Sequence, residues 1–112
     1  MKNYNLDDVK EMAGGDDDFV KIIVQTFLEE IPPDVASMSE AISNSNPALA
    51  YQFAHKMKPN LQLFGLDQME NILLIEAWSK GMERETTARD AGDKITAKVR
   101  LAEIELKNDF GL

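Results

Sequence analysis

The sequence predicts an all-α fold, an antiparallel, up-down four-helix bundle with a short N-terminal capping helix. Three observations carry that expectation. Apolar residues recur with a helical period along the whole chain, and no strand-like alternation of useful length interrupts them. The breaks between periodic segments are short and hold helix stop and start signals, as in "SNSNP" and at Gly65 and Gly81. The chain has 112 residues, 44% of them apolar, which suits a single domain over 1–112 that buries a core without metal or disulfide staples.

The first helix is expected from about Leu6 to Met12. Asn5 is its N-cap, Leu6, Val9 and Met12 share a face, and Gly14-Gly15 ends it. The acidic run Asp16–Asp18 then opens a second helix and suits the positive end of its dipole. Its stripe is Val20, Val24, Phe27, Ile31, Val35, Met38 and Ile42, all within a sector of roughly 80° at about 100° per residue. That phase runs straight through Pro32-Pro33, where a turn between two helices would have reset it. One long helix is therefore expected, kinked at the prolines, although each proline removes a hydrogen bond and disfavours a helix interior.

Asn46 as N-cap with Pro47 at the first helical position starts a third helix, which runs to about Phe64 and stops at Gly65. Asp67 and Glu70 form a capping-box-like opening for a fourth helix, Gln68 to Lys80, closed by Gly81. Its segment "ILLIEAW" is apolar around much of its circumference and should be well buried, with Trp78 as a core or inter-helix anchor. The last helix, about Thr87 to Lys107, buries Ala88, Ala91, Ile95, Val99, Ala102 and Leu106. Leu101 and Ile104 fall opposite, where they either cover another helix or are scattered surface residues. Phe110 either folds back onto the bundle or frays. The six methionines sit mostly at core spacing and read as packing, not as a copper site.

Composition removes several function classes. There are no cysteines, hence no disulfides, thiolate metal sites or cysteine nucleophiles. The net charge of −8 disfavours nucleic acid and anionic membranes, and favours partners with local positive charge. The N-terminal segment has no secretion-signal core, and no apolar run approaches the roughly 20 residues of a membrane span. A soluble, cytoplasmic, monomeric protein is expected. No glycine-rich phosphate loop or P-loop signature gives it a nucleotide site. With one histidine and no inward Glu-x-x-His pair, a metal or cofactor bundle is disfavoured and no cofactor is expected.

That one histidine, His55 in "QFAHKMKPN", is the candidate site. With His55 at 0° on the third helix, Phe53, Met57 and Phe64 fall between roughly 160° and 200°, and Leu49 and Leu61 near 120° on either side. The core stripe is centred opposite His55, which rules out a satisfied core histidine. Tyr51, Gln52, Lys58, Pro59 and Gln62 share its side. An exposed histidine is commonly only a surface residue, and a lysine three places on arises often by chance. The local chemistry nonetheless fits a phosphoacceptor. A neutral imidazole is a nucleophile near pH 7, Lys58 lies on the same face, and Gln62 offers an amide donor.

In "AHKMK" the chain resembles the histidine-containing phosphotransfer (HPt) family, whose H-x-x-K core falls on His55 and Lys58. Gly65 stands ten places after His55, where the family usually has glycine. The stretch "GGDDDFVKIIVQTFLEEIPPDVASMSEAI" is similar to the family's second helix, and Glu76 to a glutamate of the following helix. The likeness covers roughly residues 4 to 80; the last helix fits by length and period only. It implies a phosphocarrier without kinase activity of its own. His55 would take a phosphoryl group from a receiver-domain aspartate and pass it to another receiver. Lys58 would steady the phosphoryl oxygens, and Mg²⁺ would sit in the receiver, not here. The partners implied are response-regulator receivers, including that of a hybrid sensor histidine kinase, docking on the face of Tyr51, Gln52 and Pro59. Pro59 departs from the family's small residue after the lysine; it frees the His55 carbonyl and bears on partner fit. The competing expectation is a non-catalytic module that docks a receiver or another helical partner without phosphorylation.

Overall fold

The computed structural model describes residues 2–112 as five helices with no strand among them: α1 (Asp7–Met12), α2 (Asp17–Ser43), α3 (Pro47–Leu63), α4 (Met69–Ser79) and α5 (Glu85–Phe110). No helix is long and apolar enough to cross a membrane.

α2 is one continuous helix with Pro32 and Pro33 inside it. Asp16 caps it, its carboxylate accepting from the amides of Asp18 and Phe19 at 3.0 and 3.3 Å. The prolines deprive the carbonyls of Leu28 and Glu29 of their usual amide donors. The helix persists because its stripe is buried on both sides of the interruption: Val20, Val24, Phe27 and Ile31 before it, Val35, Met38 and Ile42 after it. Burial of such side chains stabilises by about 1.5–3 kcal/mol each, which outweighs the two lost bonds.

α3 opens as its sequence dictates, with the Asn46 side chain accepting from the Leu49 amide at 3.2 Å and Pro47 in the first turn. It buries Ala50, Ala54, Met57 and Leu61, and Phe64 at its C-cap stacks on Phe27 with centroids 4.2 Å apart.

α4 corrects two expectations. The capping box does not form: the N-cap is Gln68, no side chain caps it, and Asp67 stands one residue too early. The Gln68 amide instead donates to the Asp67 carbonyl and accepts from the Asn71 amide, both at 2.9 Å. Only Ile72, Ile75 and Trp78 are buried, while Leu73 is 51% exposed, because neighbours cover one side of this helix and not its outer edge. Trp78 is the anchor expected. α5 starts two residues earlier and ends three later than its spacing indicated, so that Phe110 packs against the core. All six expected core positions of α5 are buried; Leu101 and Ile104 are exposed surface residues. The methionine expectation holds for Met38 and Met57 alone: Met12 and Met82 are 59% and 76% exposed, and Met1 lies outside the described residues. Met12 is left out because α1 is under two turns long, and only Val9 of its expected face is fully buried.

α2 packs against α3 and α5, and α4 packs against the same two, so the four longer helices close a ring of neighbours around one core. α1 lies on α2. At Gly92 α5 comes so near α2 that a Cβ would stand 2.5 Å from Ile42 Cδ1.

One end of the ring is tied by the segment before α1. The Asn3 amide and side-chain amide donate to the two Glu105 carboxylate oxygens, each at 2.6 Å. Lys98 donates to the Asn3 side-chain carbonyl at 3.1 Å. Lys2 pairs with Asp109 at 2.9 Å, and the Tyr4 hydroxyl donates to the same carboxylate. The Asn5 amide then donates to the Phe64 carbonyl at 2.8 Å. This strap joins the end of α5 to the end of α3. Asn5 does not act as N-cap, which is Leu6, but its side chain accepts from the Asp7 amide at 2.7 Å, an Asx turn one residue earlier.

Gly65 is where the strap meets α3. Its φ is +67°, and an added Cβ would stand 2.7 Å from Asn5 Cβ. Gly65→Ala should therefore lose about 1–2 kcal/mol from the left-handed backbone alone, with a further loss from displacing Asn5; urea unfolding followed by Trp78 fluorescence measures it. The strap also makes stability acid-sensitive. Hydrogen bonds from Asn3 hold the Glu105 carboxyl below its ordinary value, and the Tyr4 hydroxyl, then Lys2, do the same for Asp109. Their contribution is full above the ordinary carboxylate pKa of about 4 and is lost as pH falls through the depressed values. Tyr4 is pushed up to about 12, first by burial and then by Asp109, so its share persists to about pH 10 and fades as pH rises towards 12. Glu105→Gln should lower the urea midpoint at pH 7 and flatten its fall as pH drops below the ordinary carboxylate value of about 4.

Candidate functional site

His55 is exposed on α3, with Ala54 and Met57 of the same turn fully buried on the other side. The direction follows from helical period: Ala50, Ala54, Met57 and Leu61 must face the core, and the residue between Ala54 and Met57 on the opposite arc cannot. Gln52, Pro59 and Gln62 are likewise exposed, while Tyr51 and Lys58 are half-buried.

Tyr51 does more than share the face. One turn before His55, its hydroxyl lies 3.5 Å from His55 Nδ1, and the two rings are 5.6 Å apart and tilted by 45°. The Tyr51 ring packs on the core cluster, which fixes where its hydroxyl stands. Behind it, α4 carries a Glu76–Lys80 ion pair of 3.0 Å. Glu76, by hydrogen bond and by charge, holds the Lys80 ammonium above its ordinary pKa.

The two lysines beside His55 have different fates. Lys56 is drawn to α2, where it donates to Asp34 at 3.1 Å. Asp34 is the one buried charged residue among those described, only 7% exposed, and sits directly after the proline pair. Lys58 makes no ion pair among the described residues. It is the cation of this helix left free for an incoming anion, about 4.5 Å along the axis from His55. Gln62 is not brought to the imidazole: seven residues on, it is about 10 Å further along the axis. It lines a shallow cleft with Gly65, Leu66 and Met69. Pro59 leaves the His55 carbonyl without an intrahelical donor on this same exposed arc.

The arrangement is an imidazole open to solvent, a hydroxyl against one ring nitrogen, an uncommitted ammonium on the same face and no enclosing walls. It can present a nucleophile to the active site of a partner; it cannot enclose a small substrate. Sequence reasoning missed the Asp34–Lys56 pair, since 22 residues separate the partners and nothing local links them. It placed Tyr51 on the docking face without its contact to the ring, although the i, i+4 spacing was there to be used.

Lys56→Ala should destabilise the chain by about 1–2 kcal/mol, since it leaves the Asp34 carboxylate largely buried without its charged donor; Asp34→Asn with Lys56→Ala together should recover part of the loss, read from urea midpoints.

No family model, curated protein or solved structure matches the chain, so the site stands on its own geometry.

Proposed function

We propose that the chain is a histidine phosphotransfer protein of the HPt type, an antiparallel four-helix bundle capped by α1, working as a cytoplasmic monomer between receiver domains. The observation that carries this reading is the pairing of exposed His55 with uncommitted Lys58 on the arc of α3 opposite its buried stripe.

A receiver aspartyl phosphate would present its phosphorus to the imidazole. A ring nitrogen attacks in line, the N–P bond forms as the P–O bond to the aspartate breaks, and the carboxylate leaves with the electron pair. The new phosphoryl oxygens lie on the side of Lys58, whose ammonium offsets their charge. Mg²⁺ and the acidic pocket would come from the receiver. The reverse step, to an aspartate of a second receiver, uses the same atoms. Tyr51, Gln52 and Pro59 border the imidazole and would meet the docked receiver first. The open face supports such a role, because the nucleophile must enter a partner's active site instead of admitting a substrate to its own.

Incubation with phosphorylated receivers should give one acid-labile phosphohistidine signal by ³¹P NMR. His55→Gln should abolish it while the unfolding midpoint stays within about 0.5 kcal/mol, as for a surface substitution. Lys58→Ala should slow transfer by about tenfold or more, the worth of one charge-assisted hydrogen bond. Labelling that persists in His55→Gln would refute the reading. Receiver binding that survives His55→Gln, with no phosphohistidine in the unaltered chain, would favour the docking module.

A further inference from the structure

The contact between Tyr51 and His55 assigns a role to the tyrosine that surface docking does not need. A neutral imidazole has one nitrogen with a proton and one with a lone pair, and the partner of one nitrogen decides the state of the other. In this chain the hydroxyl lies 3.5 Å from Nδ1, and the two rings are tilted by 45° with centroids 5.6 Å apart. No hydrogen bond within the described residues reaches Nε2. The two ring nitrogens are thus unequal before any partner arrives.

We infer that Tyr51 is a positioning residue which accepts the Nδ1 proton of His55 and so leaves the Nε2 lone pair as the nucleophile. This rests on the phosphotransfer reading for its purpose, though not for its measurement. The hydroxyl has both a donor and two acceptor sites, so it can take the Nδ1–H without other change. The transfer step balances with the proton held there. When Nε2 attacks phosphorus, the Nδ1 proton stays on the ring, and the product is an N-phosphoimidazolium whose Nδ1–H keeps its acceptor. Tyr51 Oη is the acceptor already in place. No proton has to leave during the step, and the aspartate departs as its carboxylate. When the phosphoryl group moves on, the same bond is kept and the neutral ring is regenerated with its proton still on Nδ1.

The surroundings hold the hydroxyl where the role needs it. The Tyr51 ring is packed on the core cluster and is only half-exposed. From α4, Lys80 is tied to Glu76. From α2, Asp34 is tied to Lys56 on the other side of α3. Each carboxylate is held by its own lysine, and neither makes a hydrogen bond to His55 among the described residues. Lys58, also on α3, is a donor only, so it cannot accept that proton.

The test is the tautomer of His55 in the full chain labelled with ¹⁵N, read from its two ring-nitrogen shifts at pH 8 with no receiver present. The share of the proton on Nδ1 should be well above that of a solvent-exposed histidine with no hydrogen-bond partner. Tyr51→Phe keeps the ring and its packing and removes only the hydroxyl; it should lower the ratio of the Nδ1–H to the Nε2–H tautomer by about fivefold, the worth of one ordinary hydrogen bond. A ratio unchanged in Tyr51→Phe, or an unaltered chain whose ratio is that of a histidine without a partner, overturns the inference. A second readout uses potassium phosphoramidate as the phosphoryl donor. The unaltered chain should give the Nε2 phosphoisomer in ³¹P and ¹H NMR spectra, and Tyr51→Ala should add the Nδ1 isomer; a single unchanged isomer in Tyr51→Ala overturns the positioning role. Since neither readout uses a receiver, a chain that shows both effects yet accepts nothing from any receiver refutes the proposed function while the inference stands.

Discussion

The unbroken apolar stripe of α2 is the constraint on which the other elements depend. α2 contacts α1, α3 and α5, and it carries Phe27, Ile31 and Met38, three of the largest fully buried side chains. Two adjacent prolines would ordinarily divide such a segment. They do not, because Val20 to Ile31 and Val35 to Ile42 share one phase and one core, so dividing the helix would turn half of that stripe towards water. The orphaned carbonyls of Leu28 and Glu29 are the smaller loss, since Glu29 is at the surface and Leu28 only half-buried.

From that stripe the orientation of α3 follows. Phe27 stacks on Phe64, and Asp34 holds Lys56, so α3 is fixed against α2 by an apolar contact at its end and a polar one near its middle. With Ala54 and Met57 turned inward, His55 has only one direction left. This pair also separates the roles of two lysines two residues apart: Lys56 is structural, and Lys58 remains uncommitted. Asp34 is buried while Lys56 is exposed, so the pair ties the outer side of α3 to α2 and helps to set how the two helices sit against each other.

What could be read from the sequence divides along the same line. The four longer helices were legible because their apolar period is long and in phase, and Asn46-Pro47 marked the start of α3 without ambiguity. The side of α3 that bears His55 was legible for the same reason. The Asp67–Glu70 capping box did not form, because α4 starts one residue later than that spacing needs, with Gln68 at the N-cap and its side chain turned to the Asp67 carbonyl and Asn71. The strap was invisible: Asn3 and Glu105 are 102 residues apart, and neither carries a local signal of the other. Gly65 read as a helix stop, but its second duty, making room for Asn5 at the end of α3, depends on that same long-range contact.

The strap and the site lie on the same helix, which links stability to accessibility. Asn5 and Gly65 secure the C-terminal end of α3, and Asn46 and Pro47 secure its start. Between these two anchors sits Pro59, four residues past His55, the one place where the α3 ladder lacks a donor. A helix weakened there would fray if its end were free. Pinned at Phe64, it cannot, and the missing bond becomes a local feature of the exposed arc: an unpaired carbonyl at His55, beside an imidazole whose Nδ1 is already engaged by Tyr51. The same anchoring that keeps α3 intact therefore lets a proline stand on the exposed arc of α3 beside His55.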